Sequence, residues 1–284
     1  MPGVSAGSRT VDTGMRSVTR TDVTRQGKRA SDNPWLARTG LTARGIIYIL
    51  VGGVAVLVAF GHSSREADQR GALQLLADKP YGVVLLWLLG IGFAAYALWR
   101  LSEAAFGVTG DPPGAGPRLK SLARGLIYAG FAYLTFDVIS GTRRSQSHQQ
   151  EDMTATAMRH AEGRWLVGLV GLAIVIAGLV LIVEGVRRKF MKYLRTWQLS
   201  RRTRRVIEIL GMIGSTARGL VFALAGALVI DAAVTHQASQ AGGIDKALLT
   251  LRNQPLGEVL VLLAALGLVV FGVYGLCEAR WRKV

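Results

Sequence analysis

Three short stretches of the chain share one pattern: ARGIIY at residues 43–48, ARGLIY at residues 123–128 and ARGLVF at residues 217–222. In each of them an arginine and a glycine precede two aliphatic residues and an aromatic one. Each stretch also opens an apolar run of about 20 residues, the length of helix that crosses a hydrocarbon core of about 30 Å. A pattern that recurs in this way indicates internal repetition.

Six apolar runs of this length divide the chain: Leu41–Phe60, Tyr81–Leu101, Leu122–Ser140, Trp165–Val183, Thr216–Thr235 and Leu256–Cys277. Inside a bilayer the backbone polar groups of each segment must be hydrogen-bonded within that segment, so the runs are predicted to be helices. The sequence therefore predicts an all-α fold: a polytopic membrane protein with six transmembrane helices, arranged as three tandem two-helix hairpin repeats.

The second helix of each hairpin repeats as well. A glycine stands at the same distance before a glutamate in all three copies, and the spacing from the repeated arginine to that glutamate varies by no more than one position. We therefore divide the chain into a disordered cytoplasmic tail (residues 1–33), repeat 1 (34–110), repeat 2 (111–190), a basic interfacial segment (191–210) and repeat 3 (211–284). The glycines are Gly82, Gly163 and Gly257, and the glutamates are Glu103, Glu184 and Glu278.

The repeated Ala-Arg-Gly stretch, the Pro-x-Gly turn at residues 80–82 and 255–257, and the closing glutamate together resemble domain-of-unknown-function family 1206. The resemblance covers roughly residues 35–284 and implies a small multipass membrane protein made of tandem two-helix units. It implies no activity. The middle copy departs from the pattern because it lacks the proline before Gly163.

The positive charge is distributed unevenly along the chain. Of the 34 Lys and Arg residues, 25 lie in the N-terminal tail through Arg44, around the connections between the second and third and between the fourth and fifth apolar runs, and at the C-terminus. The other nine lie in the three remaining connections. Cytoplasmic loops carry the excess of Lys and Arg, so we expect both termini in the cytoplasm and the protein in the plasma (inner) membrane. The same bias explains the net charge of +16 without a nucleic-acid partner.

The densest basic stretch, residues 187–205, reads RRKFMKYLRTWQLSRRTRR. Its aromatic residues fall at helical spacing among cations, which favours a helix lying on the anionic inner leaflet. The alternative is an exaggerated positive-inside bias. The predicted lipid-surface contacts are Arg187, Arg188, Lys189, Lys192, Arg195, Trp197, Arg201 and Arg202.

The repeated arginines open their helices and the repeated glutamates close theirs, and both placements oppose the helix dipole. Both kinds of residue lie at the same end of the hairpin, so the topology allows them to meet. We predict three ion pairs drawn from Arg44, Arg124 and Arg218 with Glu103, Glu184 and Glu278, either within a hairpin or between neighbouring ones. The alternative is that each arginine reaches lipid phosphate and each glutamate faces water.

Two acids, Asp137 and Asp231, occupy the same position in their copies, about 20 Å along the helix from the repeat arginine. Intramembrane acids commonly mark proton or cation sites, although a position this close to the outer interface also allows simple hydration.

Residues 34–284 contain no Walker-type loop, HExxH or GxSxG motif. We therefore expect a structural, regulatory or interaction component of the membrane without enzymatic activity, cofactor or metal. Its expected partners are the lipid bilayer, anionic lipids at the cytoplasmic face and other membrane proteins. The alternative is a small-solute or ion transporter that uses Asp137 and Asp231.

Overall fold

The computed structural model describes residues 34–60, 66–107, 115–141, 145–159, 161–241 and 243–283. The predicted tail, residues 1–33, lies outside them. The described chain forms nine α-helices: α1 Pro34–Ala59, α2 Gln69–Ala77, α3 Gly82–Phe106, α4 Ala115–Ile139, α5 Gln146–Met158, α6 Ala161–Val186, α7 Arg201–Thr235, α8 Gly243–Arg252 and α9 Gly257–Trp281. Six of these, α1, α3, α4, α6, α7 and α9, are long and apolar enough to cross a membrane, which confirms the predicted fold class.

A short helix joins the two long helices of each repeat: α2 in repeat 1, α5 in repeat 2 and α8 in repeat 3. A glycine in the first turn of the following long helix lies directly against this short helix. A Cβ atom at Gly82, Gly163 or Gly257 would collide with a backbone carbonyl of the preceding short helix. This close approach explains why the same glycine recurs in all three copies, including the one that lacks the proline.

The most extensive packing joins one repeat to the next: α3 packs on α4, α6 on α7, and α9 on α1. Glycines bring the backbones together at two of these interfaces. A Cβ atom on Gly45 of α1 would lie 2.8 Å from the carbonyl oxygen of Gly272 on α9, and one on Gly219 of α7 would lie 2.7 Å from that of Gly178 on α6. Small residues permit such contacts in lipid, where helix association depends on close packing.

Packing within a repeat is uneven. In repeats 1 and 3 the two long helices are in contact, α1 with α3 and α7 with α9, whereas α4 and α6 of repeat 2 barely touch. The six long helices therefore follow one another around a ring in the order α1, α3, α4, α6, α7, α9, and the ring is open between α4 and α6.

The two ends of the ring differ. We call the end that carries Arg44, Arg124 and Arg218 the basic end, and the end that carries α2, α5 and α8 the opposite end. At the opposite end the three repeats bind one another in turn: the Asp245 carboxylate accepts a hydrogen bond from the Ala67 amide at 2.7 Å, and the Gln146 amide donates to Glu66 at 3.0 Å. Lys246 and Glu151 form an ion pair at 3.7 Å between repeats 3 and 2.

The basic segment does not form the predicted single helix on the membrane surface. It consists of two 3₁₀ turns, Lys189–Tyr193 and Thr196–Gln198, followed by the first turns of α7. Its main chain pairs with the C-terminus instead: the Arg195 amide donates to the Trp281 carbonyl at 2.8 Å, and Leu194 is fully buried. The interfacial segment predicted at residues 191–210 thus includes the start of α7, whose 35 residues span about 52 Å and exceed the bilayer core.

Candidate functional site: a cationic cavity at the basic end

A cavity of about 390 Å³ opens among the long helices at the basic end. It collects side chains from all three repeats and from the basic segment. Seven cations and two carboxylates line it: Arg44, Lys120, Arg124, Lys189, Lys192, Arg218 and Arg282, with Glu184 and Glu278. The excess of positive charge suits the cavity to an anion, and its volume is typical of small-molecule sites.

Glu278 of α9 is held between two arginines. The Arg44 Nη2 donates to its Oε2 at 2.5 Å, and Arg282 donates to its Oε1. These side chains are about one-tenth exposed or less, so the charges are largely removed from water. Arg44 also lies over the ring of Phe271, with its Cζ 5.3 Å from the ring centroid. This triad joins the first repeat to the last.

Arg218 is held by aromatic rings. Its Cζ lies 5.1 Å from the ring centroid of Tyr48, 4.9 Å from that of Phe222 and 4.8 Å from that of Phe271. Cation–π contacts of this kind stabilise a guanidinium without neutralising it. The Arg218 Nε is buried without a hydrogen-bond partner. Within the described part of the chain, neither Arg218 nor Arg124 forms an ion pair, so both arginines keep charge available to the cavity.

The other two repeat glutamates have partners that we did not predict. Glu103 pairs with Arg100 of its own helix at 2.6 Å and accepts a hydrogen bond from Ser121 of α4 at 3.1 Å. Glu184 pairs with Lys120 at 3.0 Å, and this contact joins α6 to α4 across the open side of the ring.

The structure thus brings together one of the predicted Arg–Glu pairs, Arg44 with Glu278, and in the described chain neither Arg124 nor Arg218 pairs with a repeat glutamate. The surviving pair is formed between repeats because α9 packs on α1. The other two pairs do not form because Glu103 pairs with Arg100, which lies within one helical turn of it, and because Arg218 packs against aromatic rings.

The predicted lipid-surface residues are exposed, except Arg195, which is half-buried. Lys189 and Lys192 also line the cavity. Trp197 is 69% exposed, and its ring lies 5.3 Å from the Lys283 ammonium. By contrast Phe190, another aromatic residue of this basic stretch, packs edge-on against Tyr274 at 5.0 Å and against the hydrophobic core.

The structure does not bring the two candidate intramembrane acids together. Asp137 pairs with Arg70 of α2 at 2.7 Å, and the Arg70 side chain is only 4% exposed. Asp231 is exposed on α7. The sequence-based interpretation missed Arg70, because nothing in its spacing connects it to an acid so far along the chain.

Burial changes the acidity of two carboxyl groups at the opposite end. It raises the pKa of Asp68, which caps the N-terminus of α2 by accepting a hydrogen bond from the Gly71 amide at 2.8 Å, to about 7. Burial also raises the pKa of Asp245. Asp245 joins repeat 3 to repeat 1 through the Ala67 amide, and Asp68 titrates near neutral pH.

Three partners of the repeat glutamates escaped the sequence analysis, although two of them carried a local signal. Arg100 stands three residues before Glu103, and Arg282 stands four residues after Glu278. Residues at these spacings share one face of a helix and commonly pair. Lys120 gave no such signal, because its partner lies on another helix.

Comparison with known families identifies the relationship that the repeats suggest. The profile of the Domain of Unknown Function (DUF1206) family matches three times, at residues 39–107, 119–188 and 213–282. The chain belongs to the DUF1206 family. Each DUF1206 unit begins five residues before a repeat arginine and ends four residues after a repeat glutamate, so the two residues mark the same register in every copy.

One curated relative of this DUF1206 protein is the uncharacterized protein YxxB of Bacillus subtilis (strain 168). The two are 30% identical over 257 residues, which cover 88% of this chain and 93% of the relative. No solved structure matches the chain.

Proposed function

We propose that this protein is a non-catalytic component of the cytoplasmic membrane that binds the headgroup of an anionic phospholipid in the cavity at its basic end. The observation that carries the proposal is the charge of the cavity, where seven cations face two carboxylates. An arginine can bind two oxygens of one phosphate through parallel hydrogen bonds, and Arg124 and Arg218 are not engaged by carboxylates in the described chain.

The location supports the same proposal. The excess of Lys and Arg favours the basic end as the cytoplasmic one, and the cytoplasmic leaflet is rich in anionic lipids. The exposed cations of the basic segment lie at the same end, where Lys189 and Lys192 line the cavity, and would attract such lipids at longer range.

A non-catalytic role fits the state of the cavity carboxylates. Glu278 is clamped by two arginines and Glu184 by Lys120, so neither is positioned as a free general acid or base. The residues considered for the alternative, transport, give it no support: Asp137 is bound by Arg70, and Asp231 is exposed away from it on another helix.

Lipid selectivity tests the proposal directly. The protein is placed in nanodiscs of equal parts phosphatidylglycerol and phosphatidylcholine with the same acyl chains, and the lipids that it retains are identified by native mass spectrometry. We expect phosphatidylglycerol to be retained preferentially. The double variant Arg124→Ala/Arg218→Ala should weaken retention by about tenfold or more, because a hydrogen bond to a charged group contributes roughly 1.5–3 kcal/mol.

The matched control removes the same charge outside the cavity. Arg159 and Arg252 are exposed at the opposite end, and Arg159→Ala/Arg252→Ala should leave retention close to that of the wild type. Equal retention of both lipids by the wild type, or equal loss in the two double variants, would overturn the proposal.

Orientation has its own test. In a Cys277→Ser background, single cysteines at Ser200 and Gln149 mark the basic and the opposite end. A membrane-impermeant thiol reagent applied to intact cells should label the cysteine at position 149 and reach that at position 200 only after permeabilisation. The reverse result would place the basic end outside the cell.

A further inference from the structure

The two long helices of repeat 2, α4 and α6, stand apart, whereas the corresponding helices of repeats 1 and 3 pack on each other. In repeat 1, Gly92 of α3 packs against Ala43 of α1, and in repeat 3, Gly267 of α9 packs against Ala217 of α7. Each alanine directly precedes the repeat arginine, and the two glycines stand at the same distance before the repeat glutamate.

Repeat 2 has small residues at the same two places, Ala123 on α4 and Ala173 on α6, yet both are exposed. The helices therefore carry surfaces made for close packing but stand apart. We call the exposed apolar surface between them the groove. Ile127, one turn from Ala123, is 54% exposed, and Val170, one turn from Ala173, is 48% exposed.

The groove leads into the cationic cavity. Lys120 and Arg124 of α4 and Leu181 and Glu184 of α6 line both the end of the groove and the cavity. The apolar groove, which is open to the hydrocarbon region, thus ends at a cluster of positive charge. The component of the bilayer that matches both parts is an anionic phospholipid, which joins acyl chains to a phosphate.

We infer that the opening between α4 and α6 seats an acyl chain of a phospholipid whose phosphate binds in the cavity, so that the lipid enters sideways from the leaflet. The inference rests on the proposed function, since the same cavity holds the headgroup. A second copy of the chain is a poorer occupant, because pairing through this face would bring the cations of two basic ends together.

Variants that fill the groove distinguish the contribution of the acyl chain to binding from that of the headgroup. Ala123→Phe and Ala177→Phe place rings in the groove, since both alanines are exposed and Ala177 lies one turn from Ala173. The matched control is Ala129→Phe, an exposed alanine about 120° around α4 from Ala123 at 3.6 residues per turn. Thermal unfolding verifies that each variant is folded.

Two probes are used on every variant: retained phosphatidylglycerol in nanodiscs, and glycerol 3-phosphate, which carries the phosphate without acyl chains. The groove variants should lose most of the retained phosphatidylglycerol and still bind glycerol 3-phosphate like the wild type. The control should keep both. Groove variants that retain the lipid, or that lose glycerol 3-phosphate as well, would overturn the groove assignment. A wild type that binds neither probe would overturn the proposed function itself.

Photo-cross-linking tests the inference on the unaltered protein. Phosphatidylglycerol with a diazirine in its acyl chain should attach mainly to peptides of the groove around Ile127 and Val170. Leu263 of α9, which is 61% exposed, represents ordinary lipid-facing surface. Cross-links distributed equally over both surfaces would show that the groove holds only bulk lipid and would overturn the inference.

Discussion

Alanine substitutions at two adjacent glycines of α1 test the packing of the first repeat on the last. A Cβ atom on Gly52 would lie 2.7 Å from the Ala265 carbonyl oxygen, 2.7 Å from the Val269 Cγ2 and 3.0 Å from the Val269 nitrogen of α9. A Cβ atom on Gly53, the next residue, would have no atom within 4 Å. The two substitutions are chemically identical and differ only in the face of the helix that they enlarge.

The expected difference follows from this geometry. Both variants gain helix propensity of up to about 1 kcal/mol on replacing glycine by alanine, and this gain cancels when they are compared with each other. What remains is the cost of forcing α1 and α9 apart, about 1–3 kcal/mol for an added group in a packed interface. We therefore expect Gly52→Ala to be less stable than Gly53→Ala by that amount.

Unfolding in mild detergent, by heating or by titration with a denaturing detergent and followed by tryptophan fluorescence, measures the order of stability. Gly53→Ala should match or exceed the wild type, and Gly52→Ala should fall below it. Equal stabilities would refute the backbone contact between α1 and α9, and with it the packing of each repeat on the next.

Three further predictions concern charged groups. Glu278→Gln should cost about 3–5 kcal/mol because it leaves buried arginine charge uncompensated, whereas Glu184→Gln, in a half-exposed pair, should cost about 0–1 kcal/mol; thermal midpoints distinguish them. The raised pKa of Asp68 means that the folded state holds a proton that the unfolded state has released. Stability should therefore fall by roughly 2 kcal/mol as pH rises from 5 to 7, and Asp68→Asn, measured by unfolding at both pH values, should remove that fall. Asp137→Asn should destabilise the protein more than Asp231→Asn, by about 2 kcal/mol or more, because only the first unpairs a buried arginine; the same unfolding assay compares them.

Local chemistry made the spans and the copies predictable from the sequence. The length of an apolar run and the need to satisfy backbone groups in lipid act on each segment separately, so they are legible without knowledge of its neighbours. The glycine in the first turn of the second long helix of each repeat is likewise a local requirement, since it meets the short helix only a few residues before it.

Which long helices pack on one another is not determined by the local sequence of each helix. Gly45 and Gly272, which join α1 to α9, lie near opposite ends of the sequence, and the same glycines would allow close packing within a hairpin. Sequence spacing therefore predicted that Arg44 and a repeat glutamate could meet but left the partner open. A charged residue with an oppositely charged residue nearby in the sequence pairs with that residue instead, as Glu103 does with Arg100.

The position of the opening has a physical origin in the contacts of the middle repeat. At the opposite end, α4 is tied to repeat 1 through Asp137 and Arg70, and Arg164 at the start of α6 bonds His236 of repeat 3. Along their lengths α4 packs on α3 and α6 on α7. Each helix of repeat 2 is therefore positioned by a different neighbour.

The same copy is the one that departs from its siblings in sequence. It has lost the proline of the Pro-x-Gly turn, and its connecting helix α5 has 13 residues against nine in α2 and ten in α8. Because the three inter-repeat interfaces hold the ring together, one hairpin can open without loss of the fold. Tandem repetition thus allows a single unit to stand open while the other two keep the closed packing, and the copy that stands open is the one that diverges in sequence.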